Sequence, residues 1–84
     1  MTDRQNFKEF AALIARILGV EVAKVTRDAR FADELEADSI DLLEVVAALE
    51  TEYEVTFDEE RVYDIVTVGE AFDLLQSAEA AEQE

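Results

Sequence analysis

The residue best placed to do chemistry is Ser39, which follows Glu36-Ala37-Asp38 and begins an acidic stretch with helical apolar spacing. Serine and aspartate are both common helix caps, so capping alone explains Asp38 and Ser39 when they are considered in isolation. A second interpretation is that Ser39 is a covalent attachment point. A phosphodiester on its hydroxyl would lie at a helix N-terminus, where free N–H groups and the helix dipole favour negative charge.

A catalytic role for this serine has little support in the composition. A nucleophilic serine needs a nearby base, yet the chain has no histidine and no lysine after Lys24. The chain also has no cysteine, which excludes disulfides, thiol catalysis and Cys/His zinc sites. The acidic run Asp58-Glu59-Glu60 lacks the central glycine of an EF-hand loop, so no metal site is predicted. We therefore expect a protein that is not an enzyme.

Acidic charge is concentrated in one part of the chain. Residues 1–30 contain six of the seven basic residues and four acidic ones, whereas residues 31–84 contain 18 acidic residues and only Arg61. A field of this sign repels nucleic acid and anionic membrane surfaces and attracts basic patches on other proteins. We expect basic protein partners, no nucleic acid and no membrane insertion. The alternative explanation of the acidic surface is solubility alone.

Apolar spacing predicts an all-α fold, a small bundle of three main helices and one short helix. The main helices are predicted at residues 7–18, 38–52 and 67–75, and the short one at residues 58–63. Gly19 should end the first helix, because glycine accepts a positive φ without a Cβ penalty. Thr67 and Glu70 match a capping box at the start of the last helix.

The length of 84 residues allows only one domain, with a structured core at about residues 7–76 and a frayed end at 77–84. Residues 20–37 show no helical or strand period, and we expect an ordered loop there. Its predicted core anchors are Val20, Val22, Val25, Phe31 and Leu35.

No apolar run approaches the roughly 20 residues that cross a bilayer, and no signal peptide is evident, so a cytoplasmic location is expected.

The helix that begins near Ser39 carries more apolar residues than one core needs. On a helical wheel its main apolar face consists of Leu42, Val45, Val46, Leu49 and Tyr53. Ile40, Leu43 and Ala47 form a separate group, here called the apolar shoulder, which adjoins Ser39. Its outer side is bordered by Asp41, Glu44 and Thr51. We expect a partner molecule to bind this shoulder.

Several short motifs stand at fixed spacings along the chain. They are Leu18-Gly19-Val20, Val25-Thr26, Phe31 with Leu35, Ala37-Asp38-Ser39-Ile40-Asp41, Ala48-Leu49-Glu50 with Tyr53, and Ile65 with Thr67-Val68. Together they make residues 7–76 resemble the acyl carrier protein family. The resemblance implies the four-helix fold of those carriers, and it covers nearly the whole chain.

The resemblance also implies that Ser39 receives 4′-phosphopantetheine from coenzyme A through a separate phosphopantetheinyl transferase. Acyl intermediates would then be held on this arm as thioesters for fatty acid, polyketide or related biosynthetic enzymes. The implied partner-binding residues are of two kinds. The acidic ones, which meet basic patches on acyl-processing enzymes, are Asp38, Asp41, Glu44 and Glu50, and the apolar ones, which make contacts beside them, are Ile40, Leu43 and Ala47. A monomer is expected. Two alternatives stay open: a peptidyl or aminoacyl carrier, and an acidic helical interaction module that is never modified.

Three residues depart from the family pattern. Glu36 replaces the usual glycine two residues before the aspartate, which costs about 1 kcal/mol if that position requires a positive φ. Ile40 replaces leucine after the serine, which keeps the apolar volume but changes the shape. Asp58 stands where a proline often precedes the short helix, so a looser helix is expected there.

Overall fold

The computed structural model describes residues 7–82 as a bundle of four α-helices. In chain order these are α1 (Phe7–Leu18), α2 (Ser39–Tyr53), α3 (Glu59–Val62) and α4 (Val68–Glu82), and a short 3₁₀ helix (Val22–Lys24) follows α1. Between residues 7 and 82, β-structure is limited to an isolated antiparallel bridge that pairs Arg30 with Thr67. The prediction of three main helices and one short helix is confirmed.

Helix α1 packs one apolar side into the core and ends at a glycine. Phe10 and Ile14 are fully buried on the inner side. Gly19 has a φ of 72°, and its N–H donates to the carbonyl oxygen of Ala15 at 2.8 Å. Because glycine adopts this left-handed conformation without a Cβ penalty, the helix stops at Leu18, as predicted.

The loop between α1 and α2 is ordered around buried side chains. Val25, Phe31 and Leu35 are each only 3% exposed, and Val20 is half-buried. Val22 is 51% exposed, so its prediction as a core anchor is wrong. The reason is local, since Val22 begins the 3₁₀ helix, of which no residue is buried.

The second half of this loop is fastened to the start of α4 by main-chain hydrogen bonds. The N–H groups of Phe31, Val68 and Gly69 donate to the carbonyl oxygens of Val66, Ala29 and Arg27 at 3.0, 2.9 and 2.9 Å respectively. Gly69 permits the close approach, because a Cβ at this position would lie 3.0 Å from the Arg27 carbonyl oxygen. The N–H of Ala37 donates to the carbonyl oxygen of Phe31 at 2.7 Å. The loop therefore leads the chain into α2 from a fixed position beside α4.

Helix α4 begins at the predicted capping box. The N–H of Glu70 donates to Thr67 Oγ1 at 3.2 Å, and Glu70 Oε1 accepts from the N–H groups of Thr67 and Val66 at 3.1 and 2.7 Å. The Val66 and Thr67 N–H groups stabilise the charged carboxylate and lower the pKa of Glu70 below its usual value. The predicted box is confirmed.

The same helix is longer than the sequence predicted, because α4 continues to Glu82. Leu75 is fully buried, and Ala78, about one turn later, packs partly against the core. Alanine and glutamate, which dominate the end of the helix, are strong helix formers. Residues 77–82 thus belong to α4, the frayed end expected there stays a prediction, and residues 83 and 84 lie outside the described residues.

An aromatic cluster joins α1 to α4 and is covered by one arginine of the loop. The ring centroid of Phe72 lies 5.2 Å from that of Phe7 and 5.0 Å from that of Phe10. The Arg27 guanidinium stands 5.8 and 5.6 Å from the Phe7 and Phe72 centroids, and its Nη2 lies 3.2 Å from Asp73 Oδ1. The ion pair is exposed and contributes little, whereas a cation–π contact at an exposed site is worth about 0.5–1 kcal/mol.

Candidate functional site

A capping box made by two aspartates defines the start of α2. Asp38 is the N-cap, with an extended backbone, and its Oδ1 accepts from the Asp41 N–H at 2.9 Å. In return, Asp41 Oδ2 accepts from the Asp38 N–H at 3.3 Å. The sequence left the cap open between Asp38 and Ser39. Asp38 is the cap, and Ser39 is therefore the first residue of the helix.

Ser39 is exposed at this helix end, beside backbone donors that have no acceptor. The capping box satisfies the N–H groups of Asp38 and Asp41, and the Leu42 N–H donates to the Asp38 carbonyl oxygen at 3.0 Å. Within residues 7–82, the N–H groups of Ser39 and Ile40 donate no hydrogen bond. Two open donors at the positive end of the helix dipole are therefore available to stabilise a phosphate.

Glu36, three residues before Ser39, has a left-handed backbone with a φ of 52°. Leu35 and Ala37 on either side of it are 3% and 6% exposed, which fixes the path of the chain, whereas the Glu36 side chain is exposed. The cost expected for a residue other than glycine at a positive φ therefore applies to Glu36. A glutamate here is strained where a glycine would not be.

A matched set of glutamate-to-glycine substitutions would measure this strain. Glu54 caps the C-terminus of α2 with a φ of 56°. Glu36→Gly and Glu54→Gly are each expected to raise the free energy of unfolding by up to about 1 kcal/mol, because glycine pays no Cβ penalty there. Urea denaturation followed by circular dichroism is the measurement. The control Glu52→Gly removes the same charge inside α2 and should lower the free energy by about 1 kcal/mol. Equal changes in all three variants would point to charge and contradict the strain.

The apolar shoulder predicted from the helical wheel faces solvent. Ile40 is 68% exposed, Leu43 is 47% exposed, and Ala47 is also exposed. The main apolar face of α2 turns inward, with Val45, Val46 and Leu49 buried and Leu42 and Tyr53 half-buried against the core. Helix α2 thus has apolar side chains on two sides, and only one of these sides belongs to the core.

The acidic residues expected to bind partners differ in their availability. Asp38 and Asp41 form the capping box, so their carboxylates already accept backbone hydrogen bonds. Glu44 is exposed, and no described residue makes a hydrogen bond or ion pair with its side chain. Glu50 is half-buried, and its Oε2 accepts from the Phe57 N–H at 2.7 Å. Glu44 is therefore the acid of this set that is free to meet a partner.

Two adjoining cavities lie along α2 next to these residues. One, of about 400 Å³, is lined by Ser39, and the other, of about 380 Å³, is lined by Glu50. Leu43, Val62 and Tyr63 line both, so the two cavities are neighbours along the same side of α2, and together they are here called the α2–α3 groove. An exposed serine at one end of a groove with apolar walls is a suitable attachment point for a flexible arm.

The far wall of the groove was missed by the sequence reasoning. Tyr63 and Val66 are 72% and 52% exposed and line the cavity beside Ser39. They follow α3, whose four residues are too few to show a helical period. Asp58 occupies the N-cap position of α3, but its side chain makes no capping hydrogen bond.

The residues at the site fit a phosphate-linked prosthetic group. The Asp38 and Asp41 carboxylates beside Ser39 are directed to backbone N–H groups, while the open N–H groups of Ser39 and Ile40 could stabilise a phosphodiester on the Ser39 hydroxyl. The chain contains no histidine that could act as a base for this attachment.

A family model described as a phosphopantetheine attachment site matches residues 8–75, and the chain belongs to this family of carrier proteins. It is a phosphopantetheine-carrying protein, whose domain is the site of covalent 4′-phosphopantetheine attachment. The resemblance to acyl carrier proteins is thereby confirmed. Carrier domains of this kind are typically non-catalytic and interact with the enzymes that process their cargo.

None of the helices in residues 7–82 combines the length and apolar character that a membrane crossing requires.

Proposed function

We propose that this carrier holds acyl intermediates as thioesters on a 4′-phosphopantetheine arm attached to Ser39, and presents them to fatty acid, polyketide or related biosynthetic enzymes. The observation that carries the proposal is the position of Ser39. It is exposed at the start of α2, next to two open N–H donors, and it lines a cavity of about 400 Å³. The open N–H donors support a phosphate on Ser39, and the apolar part of the cavity lining supports an apolar cargo.

Attachment uses the Ser39 hydroxyl as the acceptor of a phosphoryl group. Its oxygen bonds to the phosphorus that carries pantetheine in coenzyme A, the pyrophosphate bond breaks, and adenosine 3′,5′-bisphosphate leaves. The hydroxyl proton passes to a base of the separate phosphopantetheinyl transferase, since the chain has no histidine and its last lysine is Lys24. When bound, the arm supplies a terminal thiol on which an acyl group is held as a thioester.

The surface around Ser39 suits enzymes with basic docking patches. Its apolar centre is the apolar shoulder of α2. The acidic residues beside this centre, here called the acidic rim, are Asp38, Asp41, Glu44 and Glu50. The proposed partner-binding residues are Asp38, Ile40, Asp41, Leu43, Glu44, Ala47 and Glu50. Opposite charge steers encounter and fixes orientation, while the apolar side chains contribute buried area. We place this carrier in the cytoplasm, acting as a monomer.

Intact-mass measurement tests the attachment. The unmodified chain, incubated with coenzyme A and a broad-specificity phosphopantetheinyl transferase, should gain about 340 Da, the mass of the arm. Ser39→Ala should gain nothing, because the hydroxyl that forms the phosphodiester is gone.

The chain offers a matched control, since Ser77 is its only other serine and is exposed on α4. Ser77→Ala should gain the same mass as the original chain, and circular dichroism should show both variants to be equally helical. A chain that gains no mass would be an unmodified acidic interaction module instead. Loading of amino acids rather than acyl groups on the modified chain would indicate an aminoacyl or peptidyl carrier.

A further inference from the structure

The strained backbone of Glu36 does not serve as a helix cap. Its φ of 52° is strained for glutamate, whereas glycine adopts it freely. Glu54 has a similar φ of 56°, but it caps the C-terminus of α2, where a left-handed residue is common. Glu36 lies in the loop before α2, and no helix ends there. The strain at Glu36 therefore needs another explanation.

The main chain on both sides of Glu36 is fixed. The N–H of Ala37 donates to the carbonyl oxygen of Phe31 at 2.7 Å, and the N–H of Leu35 donates to the carbonyl oxygen of Arg30 at 3.3 Å. Leu35 and Ala37 are also buried in the core. The exposed Glu36 side chain therefore reaches solvent from a rigid stretch of backbone.

The carboxylate of Glu36 is not used within the described part of the chain. No residue between 7 and 82 makes a hydrogen bond or ion pair with it. Its acidic neighbours are occupied, since Glu34 Oε1 accepts from the Arg30 N–H at 2.8 Å and Asp38 belongs to the capping box of α2. Backbone strain that no internal contact compensates is typical of functional positions.

Glu36 and Glu44 are free carboxylates on either side of Ser39 in the sequence. Glu36 stands three residues before Ser39, and Glu44 stands five residues after it, about one and a half turns into α2. A single charge on α2 attracts a basic enzyme, and a second charge on a rigid loop helps to fix its orientation. Correct orientation is itself a large part of the rate of a group transfer.

We infer that Glu36 is a positioning residue that pairs with a lysine or arginine of the phosphopantetheinyl transferase and orients Ser39 for attachment of the arm. The pair forms only in the complex, where it compensates for the strain at Glu36. The inference rests on the proposed function, because it needs a carrier whose Ser39 is modified. It gives the transferase a contact on the loop, outside α2 and its acidic rim.

Initial rates of arm attachment, measured by intact mass at about 0.1 M salt, test this contact. Glu36→Gln keeps the shape of the side chain and should lower kcat/KM for the chain about threefold, and Glu36→Lys about tenfold, because the loss follows the charge. Both losses should shrink at about 1 M salt. Glu36→Gly should lower kcat/KM as much as Glu36→Gln and yet raise the resistance to urea, a combination that a purely structural role would not produce.

Glu54 provides the matched control, since it has the same left-handed conformation and an exposed side chain. It lies about 20 Å from Ser39 along the axis of α2, beyond the screening length of about 10 Å at 0.1 M salt. Glu54→Gln and Glu54→Gly should therefore leave kcat/KM nearly unchanged.

A Glu36→Gln chain with the kcat/KM of the original chain would overturn the inference and leave the proposed function intact. Equal losses in the Glu36 and Glu54 variants would also overturn it, because they would indicate an effect of net charge. An original chain that gains no arm would reject the proposed function and the inference together.

Discussion

Phe10→Ala is expected to lower the free energy of unfolding by about 3–5 kcal/mol. Phe10 is fully buried, and its ring lies 6.0 and 5.0 Å from the ring centroids of Phe7 and Phe72. The substitution removes aromatic surface from the core and leaves a cavity between α1 and α4. Because folded domains are typically stable by only about 5–15 kcal/mol, a small bundle would lose much of its stability.

Urea denaturation followed by circular dichroism measures this loss. Ile40→Ala is the control, since Ile40 is also apolar but 68% exposed, and its effect should stay within about 0.5 kcal/mol. Similar losses in the two variants would contradict the division of apolar residues into a core and a docking surface. The control has a second use, because Ile40→Ala should still weaken binding to enzymes that dock on the shoulder.

Glu44→Lys is expected to slow association with the transferase by roughly tenfold at about 10 mM salt, and by much less at about 1 M salt. Glu44 is exposed on the acidic rim, and no described side chain neutralises it. Reversing its charge replaces attraction to a basic patch with repulsion. Screening acts over about 30 Å at the lower concentration and about 3 Å at the higher one.

Surface plasmon resonance at the two salt concentrations separates steering from contact. Glu21→Lys makes the same change in net charge at an exposed site outside α2 and should have a smaller effect at low salt. An equal loss for Glu44→Lys at both concentrations would argue against electrostatic steering. It would instead indicate that the glutamate makes a close, desolvated contact in the complex.

The helices were predictable because their signals are local. Gly19 ended α1 and Thr67 with Glu70 started α4, since a glycine end and a capping box depend on neighbouring residues alone. The loop was harder, because the bonds that fix it join residues far apart in the chain. The Phe31 N–H finds its acceptor at Val66, and no periodicity reveals such a pair.

The candidate site also has some features that were predictable from the sequence and others that were not. The apolar shoulder followed from the wheel, and the assignment of Ser39 to attachment followed from resemblance. The hydrogen bond from Phe57 to Glu50 was not predictable, because it requires the left-handed turn at Glu54 to bring residues seven apart together. The sequence therefore assigned Glu50 to partner binding alone, whereas its carboxylate also stabilises the connection to α3.

The main-chain pairing between the loop and the start of α4 has a consequence for how related carriers diverge. Because the bonds at residues 27–31 and 66–69 use backbone atoms, exposed side chains there such as Asp28 could be exchanged during evolution without moving Ser39, whereas the buried Ala29, Phe31 and Val68 also belong to the core. An insertion or deletion in either segment would shift the pairing by one residue and displace the start of α2. Length should therefore be held more strictly than the identity of the exposed side chains in these segments, and Gly69 should be kept as well, because a Cβ there would lie only 3.0 Å from the Arg27 carbonyl oxygen.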